Sequence, residues 1–276
     1  MAFAASRRRL EGSRVSSVYE ALQRARQGQS QGIGGVRFGA IPLRPHPQQQ
    51  RTRRESPPPA VSLAPGPLAV ELTPLLAAVR PLLDGAQQAG SQGAVLQFVA
   101  ATPGEGASTV AREFAFLAAT TGRRRSLLID ADRRNPQTAR GFGCATGRGL
   151  IDGLWEGVDD AELLHPVVGT LLSVVCLIGE RGPAAADAET LREVYDGLRD
   201  HFELVVVDCP SVASGLYADL LPEAADGVIL VIQAEKTRPA VISHAKNLVQ
   251  QAGGTLIGAV LNKRTNYIPD FFYRRL

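Results

Sequence analysis

Six short apolar runs, separated by stretches with helical periodicity, constrain the fold of this chain more than any other feature. The runs are almost continuously apolar, and strands of that kind are buried on both faces. Because helices separate the strands, the pattern predicts an α/β fold of the P-loop NTPase type, with a mainly parallel β-sheet and helices on both faces. The predicted strands are Val95–Ala100, Ser126–Asp130, Leu171–Ile178, Leu204–Asp208, Val228–Ile232 and Leu256–Leu261, and the predicted helices are Ser108–Thr121, Ala188–His201, Leu216–Ala224 and Pro239–Ala252.

The residues before the first strand divide into an arm and the start of a folded domain. Residues 1–67 are rich in Gly, Gln, Pro, Arg and Ser, and we expect them to be largely disordered, with one short helix near residues 15–27. The folded domain is predicted to cover residues 68–276. Its first helix, over Leu72–Leu83, contains Pro74 and Pro81 and is therefore expected to be short or kinked.

The arm is far more basic than the rest of the chain. It holds 11 of the 30 basic residues but only 3 of the 27 acidic ones. This asymmetry indicates an anionic partner, with a membrane surface favoured over nucleic acid, while a solvated tail without a partner is an equally good interpretation. No apolar run is long enough to cross a bilayer, and no secretory signal is evident. We therefore expect a cytoplasmic protein that reaches the inner membrane peripherally or through a partner.

A glycine-rich segment follows the first predicted strand. Glycines let the backbone approach a phosphate closely, and the next helix adds free N–H groups and its dipole. The segment is predicted to bind ATP or ADP, with Ser108 also a ligand of Mg²⁺, whereas the alternative is a turn that only connects strand to helix. The predicted nucleotide-binding residues are Gly104, Glu105, Gly106, Ala107, Ser108 and Thr109.

One residue of this segment departs from a phosphate-binding loop. Ala107 stands where such a loop carries a lysine. Loss of a charge-assisted hydrogen bond predicts a nucleotide affinity weaker by about ten- to a hundredfold. Arg133 or Arg134 could compensate, whereas the sequence offers no evident substitute among its lysines, which are Lys236, Lys246 and Lys263.

Polar residues follow three other predicted strands. Asp130 ends one strand and Asp132 follows it, and Asp208 ends another, at the edge where α/β sheets bind ligands. We predict that Asp130 and Asp132 are catalytic and that Asp130 and Asp208 join Ser108 as Mg²⁺ ligands, although such residues also cap turns. Asn262, after the last strand, is predicted to contact the nucleotide base, and a turn-forming role fits it equally well.

Taken together, these motifs resemble those of the bacterial tyrosine kinases, which are cytoplasmic partners of polysaccharide co-polymerases. The resemblance covers roughly residues 90–265. It rests on the segments Pro103–Thr109, Leu127–Arg134, Gly149–Leu154, Val205–Pro210, Lys236–Arg238 and Gly258–Asn262.

The resemblance implies a kinase that uses ATP and Mg²⁺, phosphorylates a C-terminal tyrosine cluster and assembles into a homo-oligomeric ring. Ala107 departs from that pattern, and the tail has only Tyr267 and Tyr273. In place of the family's ring-assembly helix, Glu71 is followed by Pro74, which leaves self-association open.

The resulting prediction is a regulatory nucleotide-binding partner of an inner-membrane co-polymerase in capsular or exopolysaccharide biosynthesis and export. Because of Ala107 and the sparse tail, we expect it to be weak or inactive as a kinase. The alternative is an active tyrosine autokinase or ATPase that uses another cation. A partition-type ATPase that acts with nucleic acid is the weaker alternative.

Overall fold

The structure is a computed structural model that describes residues 68–88, 93–144, 148–156, 163–179, 187–215, 217 and 220–264. The predicted arm of residues 1–67, its helix near residues 15–27, and the tail with Tyr267 and Tyr273 lie outside these ranges. The helices are α1 (Ala69–Gln88), α2 (Ala107–Thr120), α3 (Gln137–Gly141), α4 (Leu150–Glu156), α5 (Ala188–His201) and α6 (Pro239–Gln251). The strands are β1 (Ala94–Ala100), β2 (Ser126–Asp130), β3 (His165–Pro166), β4 (Leu172–Cys176), β5 (Leu204–Asp208), β6 (Gly227–Gln233) and β7 (Leu256–Asn262).

Seven strands of the described residues form one sheet in the order β3-β4-β2-β5-β1-β6-β7. Pairing is parallel from β4 to β7, and the short edge strand β3 is antiparallel to β4. The predicted mainly parallel α/β sheet is therefore confirmed. Its register pairs Asp130 of β2 with Asp208 of β5, so two predicted site residues end neighbouring strands at the same level.

Helices cover both faces of this sheet, as the sequence predicts. Alternate residues of a strand point to opposite faces, and β1 shows this directly. Phe98 packs on one side with α1 and α2, where its ring centroid lies 5.2 Å from that of Phe114. Val99 packs on the other side with Tyr195 of α5 and Val249 of α6.

The prediction that the first helix is short was wrong. α1 is a continuous helix of 20 residues that includes Pro74 and Pro81. Each proline removes a backbone donor, but Leu72, Val79 and Leu83 are buried against the core, at 2–4% exposure. Burial of this apolar stripe outweighs the lost hydrogen bonds, since packing decides most helices in proteins.

The prediction of an α-helix at Leu216–Ala224 was also wrong. A short 3₁₀ turn, Val212–Ser214, precedes this region, and a second one, Pro222–Ala224, forms its last three residues. Gly215 and Leu221 have left-handed backbone conformations, with φ of 73° and 50°, which a continuous α-helix does not allow. The elements α3, α4 and β3 were not predicted, because each is too short to show a hydrophobic period.

Across the described residues, no helix combines the length with the apolar composition that a bilayer span requires.

Candidate functional site

The glycine-rich segment forms a loop between the end of β1 and the start of α2. Gly104 and Gly106 have φ of 86° and 97°, which is the left-handed region that favours glycine. A Cβ atom on Gly106 would lie 2.2 Å from Nδ2 of Asn262, so a side chain there would displace a neighbour as well as strain the backbone. Glycine is therefore required at position 106 by both the backbone conformation and the lack of space for a side chain.

The loop leads into the N-terminus of α2, which is suited to binding an anion. α2 begins at Ala107, with Gly106 as its N-cap and without a capping side chain. The first N–H groups of a helix lack partners within it, and the helix dipole makes that end electropositive. Ala107, Ser108 and Thr109 line a cleft, so that end of α2 is available to an anionic ligand.

This cleft has a volume of about 630 Å³ and lies at the carboxyl ends of the strands. That is the edge at which parallel α/β sheets bind ligands. Residues that follow four different strands contribute to its lining, and among them are Pro103, Gly104, Gly106 and Ser108 after β1, Asp132, Arg134 and Asn135 after β2, Ser211 after β5, and Asn262 and Lys263 at the end of β7.

Glu105 fixes the shape of the loop from within. Its side chain is 2% exposed and is not among the residues that line the cleft. One carboxylate oxygen accepts a hydrogen bond from the Thr102 amide at 2.9 Å, and the other accepts from the Thr237 hydroxyl. Its backbone carbonyl accepts from Nδ2 of Asn262 at 2.8 Å. The carboxylate is thus committed to the loop, and any contact of Glu105 with a nucleotide would come from its backbone.

Asp130 is buried and holds the segment that follows β2. Its Oδ1 accepts from the Asp132 amide at 3.1 Å, and its Oδ2 accepts from the Ala139 amide at 2.9 Å. Burial raises the pKa of this carboxyl to about 6, although these backbone hydrogen bonds oppose the rise. Both oxygens are therefore already engaged by the protein.

Asp208 is equally buried, but one of its carboxylate oxygens has no hydrogen-bond partner among the described residues. Burial, followed by the nearby charge of Asp130, raises the pKa of its carboxyl to about 7. The Thr138 hydroxyl donates to Oδ2 at 2.6 Å, whereas Oδ1 is a buried atom without a hydrogen-bond partner in the described structure. The Ser108 hydroxyl lies close enough to lower the pKa of this carboxyl, yet it does not complete a hydrogen bond to Oδ1.

This orphaned oxygen fits a hydrated magnesium ion better than a fully protein-bound metal. The described residues contain no group of three or more His, Cys, Asp or Glu side chains that could hold a metal. Mg²⁺ commonly keeps several waters and takes only one or two protein ligands besides phosphate oxygens. Ser108 and Oδ1 of Asp208 fit that donor set, whereas the oxygens of Asp130 are occupied by backbone donors.

Asp132 is the predicted catalytic residue that reaches the cleft. Its Oδ1 accepts from the amides of Arg134 and Asn135, each at 3.2 Å, and its side chain lines the cleft. Asp130 lies behind it and holds its backbone. The two predicted catalytic carboxylates therefore occupy different positions, one at the surface of the cleft and one in its support.

Several known proteins are similar to this chain in sequence. The chain matches no protein-family model. Over 189 residues it is 28% identical to the tyrosine-protein kinase CpsD of Streptococcus agalactiae serotype Ia, which covers 67% of this chain and 81% of that protein. Over 180 residues it is 28% identical to the succinoglycan biosynthesis transport protein ExoP of Rhizobium meliloti, which covers 63% of this chain and 23% of that protein.

A solved structure shows the same fold. The kinase domain of the Escherichia coli tyrosine kinase ETK superposes with a TM-score of 0.55 at 23% identity, over 80% of this chain and 87% of that domain. The chain is a relative of the bacterial tyrosine kinases. It shares their P-loop fold, as the sequence motifs predicted.

The structure adds residues that sequence reasoning missed. Thr138 on α3 and Thr237 before α6 hold the carboxylates of Asp208 and Glu105. Lys263 reaches the loop, where Nζ donates to the Gly104 carbonyl oxygen at 2.6 Å. Of these, Lys263 could have been suspected from its position beside Asn262, and Thr237 from its place in the segment Lys236–Arg238, whereas no spacing in the sequence identifies Thr138.

Proposed function

We propose that the cleft binds ATP or ADP together with Mg²⁺. The observation that supports this most is the orphaned Oδ1 of Asp208, which lies beside Ser108 at the start of α2. A buried carboxylate oxygen without a donor is costly unless a ligand completes it. The free N–H groups of Ala107, Ser108 and Thr109 would bind phosphate oxygens, and Mg²⁺ would neutralise the phosphate charge.

The chain's own residues would then divide the work at the site. Ser108 and Asp208 would hold the metal, Asp208 mainly through water, and Asp130 would position Asp132 through its backbone. Asp132 faces the cleft and would accept a proton from an attacking hydroxyl. Asn262 lines the same cleft and keeps one amide hydrogen beyond its bond to Glu105, which would be available to the base.

We propose that this binding serves regulation more than phosphoryl transfer. The phosphate loop itself provides no positive charge for that transfer, because it carries Ala107, and the tail offers only Tyr267 and Tyr273 as acceptors. The chain would act in exopolysaccharide or capsular polysaccharide biosynthesis and export, beside an inner-membrane co-polymerase on the cytoplasmic side. The similarity to the succinoglycan transport protein ExoP supports this setting. The basic arm of residues 1–67 would add contact with anionic lipid.

Titration calorimetry of the purified full chain with ADP and ATP tests the proposal. Binding is expected with Mg²⁺, and Asp208→Asn should weaken it in Mg²⁺ but leave it almost unchanged in EDTA. Asp200→Asn, an exposed carboxylate on α5, is the matched control and should bind as the parent does. Absence of binding by the parent chain, or equal effects of the two variants, would contradict the proposal.

An active autokinase or ATPase is the second candidate, because Arg134 and Lys263 bring positive charge to the cleft. Incubation of the purified chain with ATP and Mg²⁺ separates the two candidates. Little or no phosphotyrosine is expected from the regulatory function. Strong phosphotyrosine that disappears in Asp130→Asn would favour the kinase instead.

A further inference from the structure

We propose that Lys263 supplies the positive charge that is absent at Ala107, and that its ammonium binds the outer phosphates of ADP or ATP. This inference rests on the proposed nucleotide function of the cleft. It assigns the phosphate-binding cation to the end of β7 instead of to the phosphate loop itself.

The position of the Lys263 side chain carries the inference. Its Nζ donates to the Gly104 carbonyl oxygen at 2.6 Å, across 159 positions of the chain. Its Cε atom lies 3.8 Å from the point that a Cβ of Gly106 would occupy. The stem and the ammonium therefore lie against both glycines of the loop, and the side chain lines the cleft.

The backbone directs Lys263 toward the loop. The residue has φ of 56°, a left-handed conformation that is uncommon for a non-glycine residue and recurs at functional sites. Its amide donates to Oδ1 of the preceding Asn262 at 2.9 Å. Asn262 is itself buried and donates to the Glu105 carbonyl at 2.8 Å. The turn after β7 is thus fastened to the same loop that its lysine contacts.

The ammonium retains capacity for a ligand. An ammonium has three donors, and the Gly104 carbonyl takes one of them. Among the described residues, no carboxylate forms an ion pair with Lys263. Two donors and a full positive charge therefore remain at the mouth of the cleft, close to the helix N-terminus that would hold the phosphates.

A set of charge variants in the full chain tests this role by titration with ADP in Mg²⁺. Lys263→Gln keeps a polar donor but removes the charge, and should weaken ADP binding by about tenfold or more. Lys263→Arg keeps the charge and should restore most of the affinity. Lys246→Gln on α6, an exposed lysine outside the cleft, is the matched control and should bind as the parent does. Equal melting temperatures for the four proteins would exclude a folding defect.

A second experiment uses Ala107→Lys, because a lysine at position 107 would reach the same phosphates. If Lys263 already supplies the charge, Ala107→Lys should improve affinity much more in the Lys263→Gln background than in the parent. An equal gain in both backgrounds would overturn the inference.

The outcomes for the two proposals are distinguishable. Failure of the parent to bind ADP would end the proposed function and this inference together. Binding by the parent that is unchanged in Lys263→Gln would end only the role of Lys263.

Discussion

Asp130 and Asp208 end two neighbouring parallel strands at the same level, with their Cα atoms paired across β2 and β5. Each side chain is 2% exposed. Consecutive residues of the short helix α3 hold them, since Thr138 donates to Asp208 and the Ala139 amide donates to Asp130. The fold therefore concentrates two acidic groups in a buried space, and the negative charge there opposes folding until a cation or a proton offsets it.

The pH dependence of stability should show this charge. The folded pKa values of Asp130 and Asp208, about 6 and about 7, lie above their ordinary value of 3.8. A raised folded pKa means that the native state binds more protons than the unfolded state between these values. The stabilisation from protonation is thus complete below about pH 4 and is lost as the pH rises to about 7. The free energy of unfolding, measured by urea titration without metal or nucleotide, should fall over that window.

Asp208→Asn should remove much of this dependence. The amide cannot ionise, so the variant should exceed the parent in free energy of unfolding at pH 8 by about 1–3 kcal/mol. The difference should shrink toward pH 4, where the parent carboxyl is protonated. Asp200→Asn is the exposed control and should follow the parent at every pH. A variant less stable than the parent at pH 8 would show that the raised pKa of Asp208 is not what limits stability there.

The two loop glycines should respond differently to alanine. Both have positive φ, but a Cβ on Gly106 would lie 2.2 Å from Nδ2 of Asn262, whereas a Cβ on Gly104 would have open space. Gly104→Ala should therefore lower the free energy of unfolding only by the backbone strain, about 1 kcal/mol. Gly106→Ala should lower it further and also weaken ADP binding, because Asn262 must leave the Glu105 carbonyl. Equal losses in the two variants, measured by urea titration and calorimetry, would refute the steric argument.

The sequence predicted the parts of this molecule that depend on local pattern. The strands at Ser126–Asp130 and Leu204–Asp208 and the helix at Ala188–His201 have their predicted bounds, because buried runs and capped amphipathic stretches are marked within a few residues. α1 is longer than predicted. Its length depends on the packing of Leu72, Val79 and Leu83 against the core, which a proline-containing sequence does not reveal. The contacts between residues distant in sequence were harder to predict than the helices and strands.

Lys263 is an example of such a contact in the candidate site. In the sequence alone, no lysine stands out as a substitute for the one missing at Ala107. Lys263 is 159 positions from Gly104, and the parallel order that places β6 beside β1 and β7 beside β6 brings its ammonium to the loop. Neither hydrophobic period nor motif spacing encodes that contact, because it depends on the order of strands in the sheet.

The partly buried contact between Glu105 and Thr237 should behave as one unit that shapes the phosphate loop. The Thr237 hydroxyl donates to the Glu105 carboxylate, which also accepts from the Thr102 amide at 2.9 Å. Thr237→Val leaves a buried carboxylate short of one donor, and should lower the free energy of unfolding by about 1–3 kcal/mol. Glu105→Gln should have a similar effect, because it replaces an acceptor of two hydrogen bonds by a group that can accept at only one oxygen.

A double-mutant cycle measures their coupling. Once either partner is changed, the second change has less to remove, so the double variant should be destabilised by clearly less than the two single losses combined. ADP affinity should follow the same pattern, since Glu105 shapes the loop without lining the cleft. Glu113→Gln on α2, a partly exposed acid outside the loop, combined with Thr237→Val is the control pair and should give additive losses. Additive losses for Glu105 and Thr237 as well would mean that the two side chains support the loop independently, and that their contact does not define its shape.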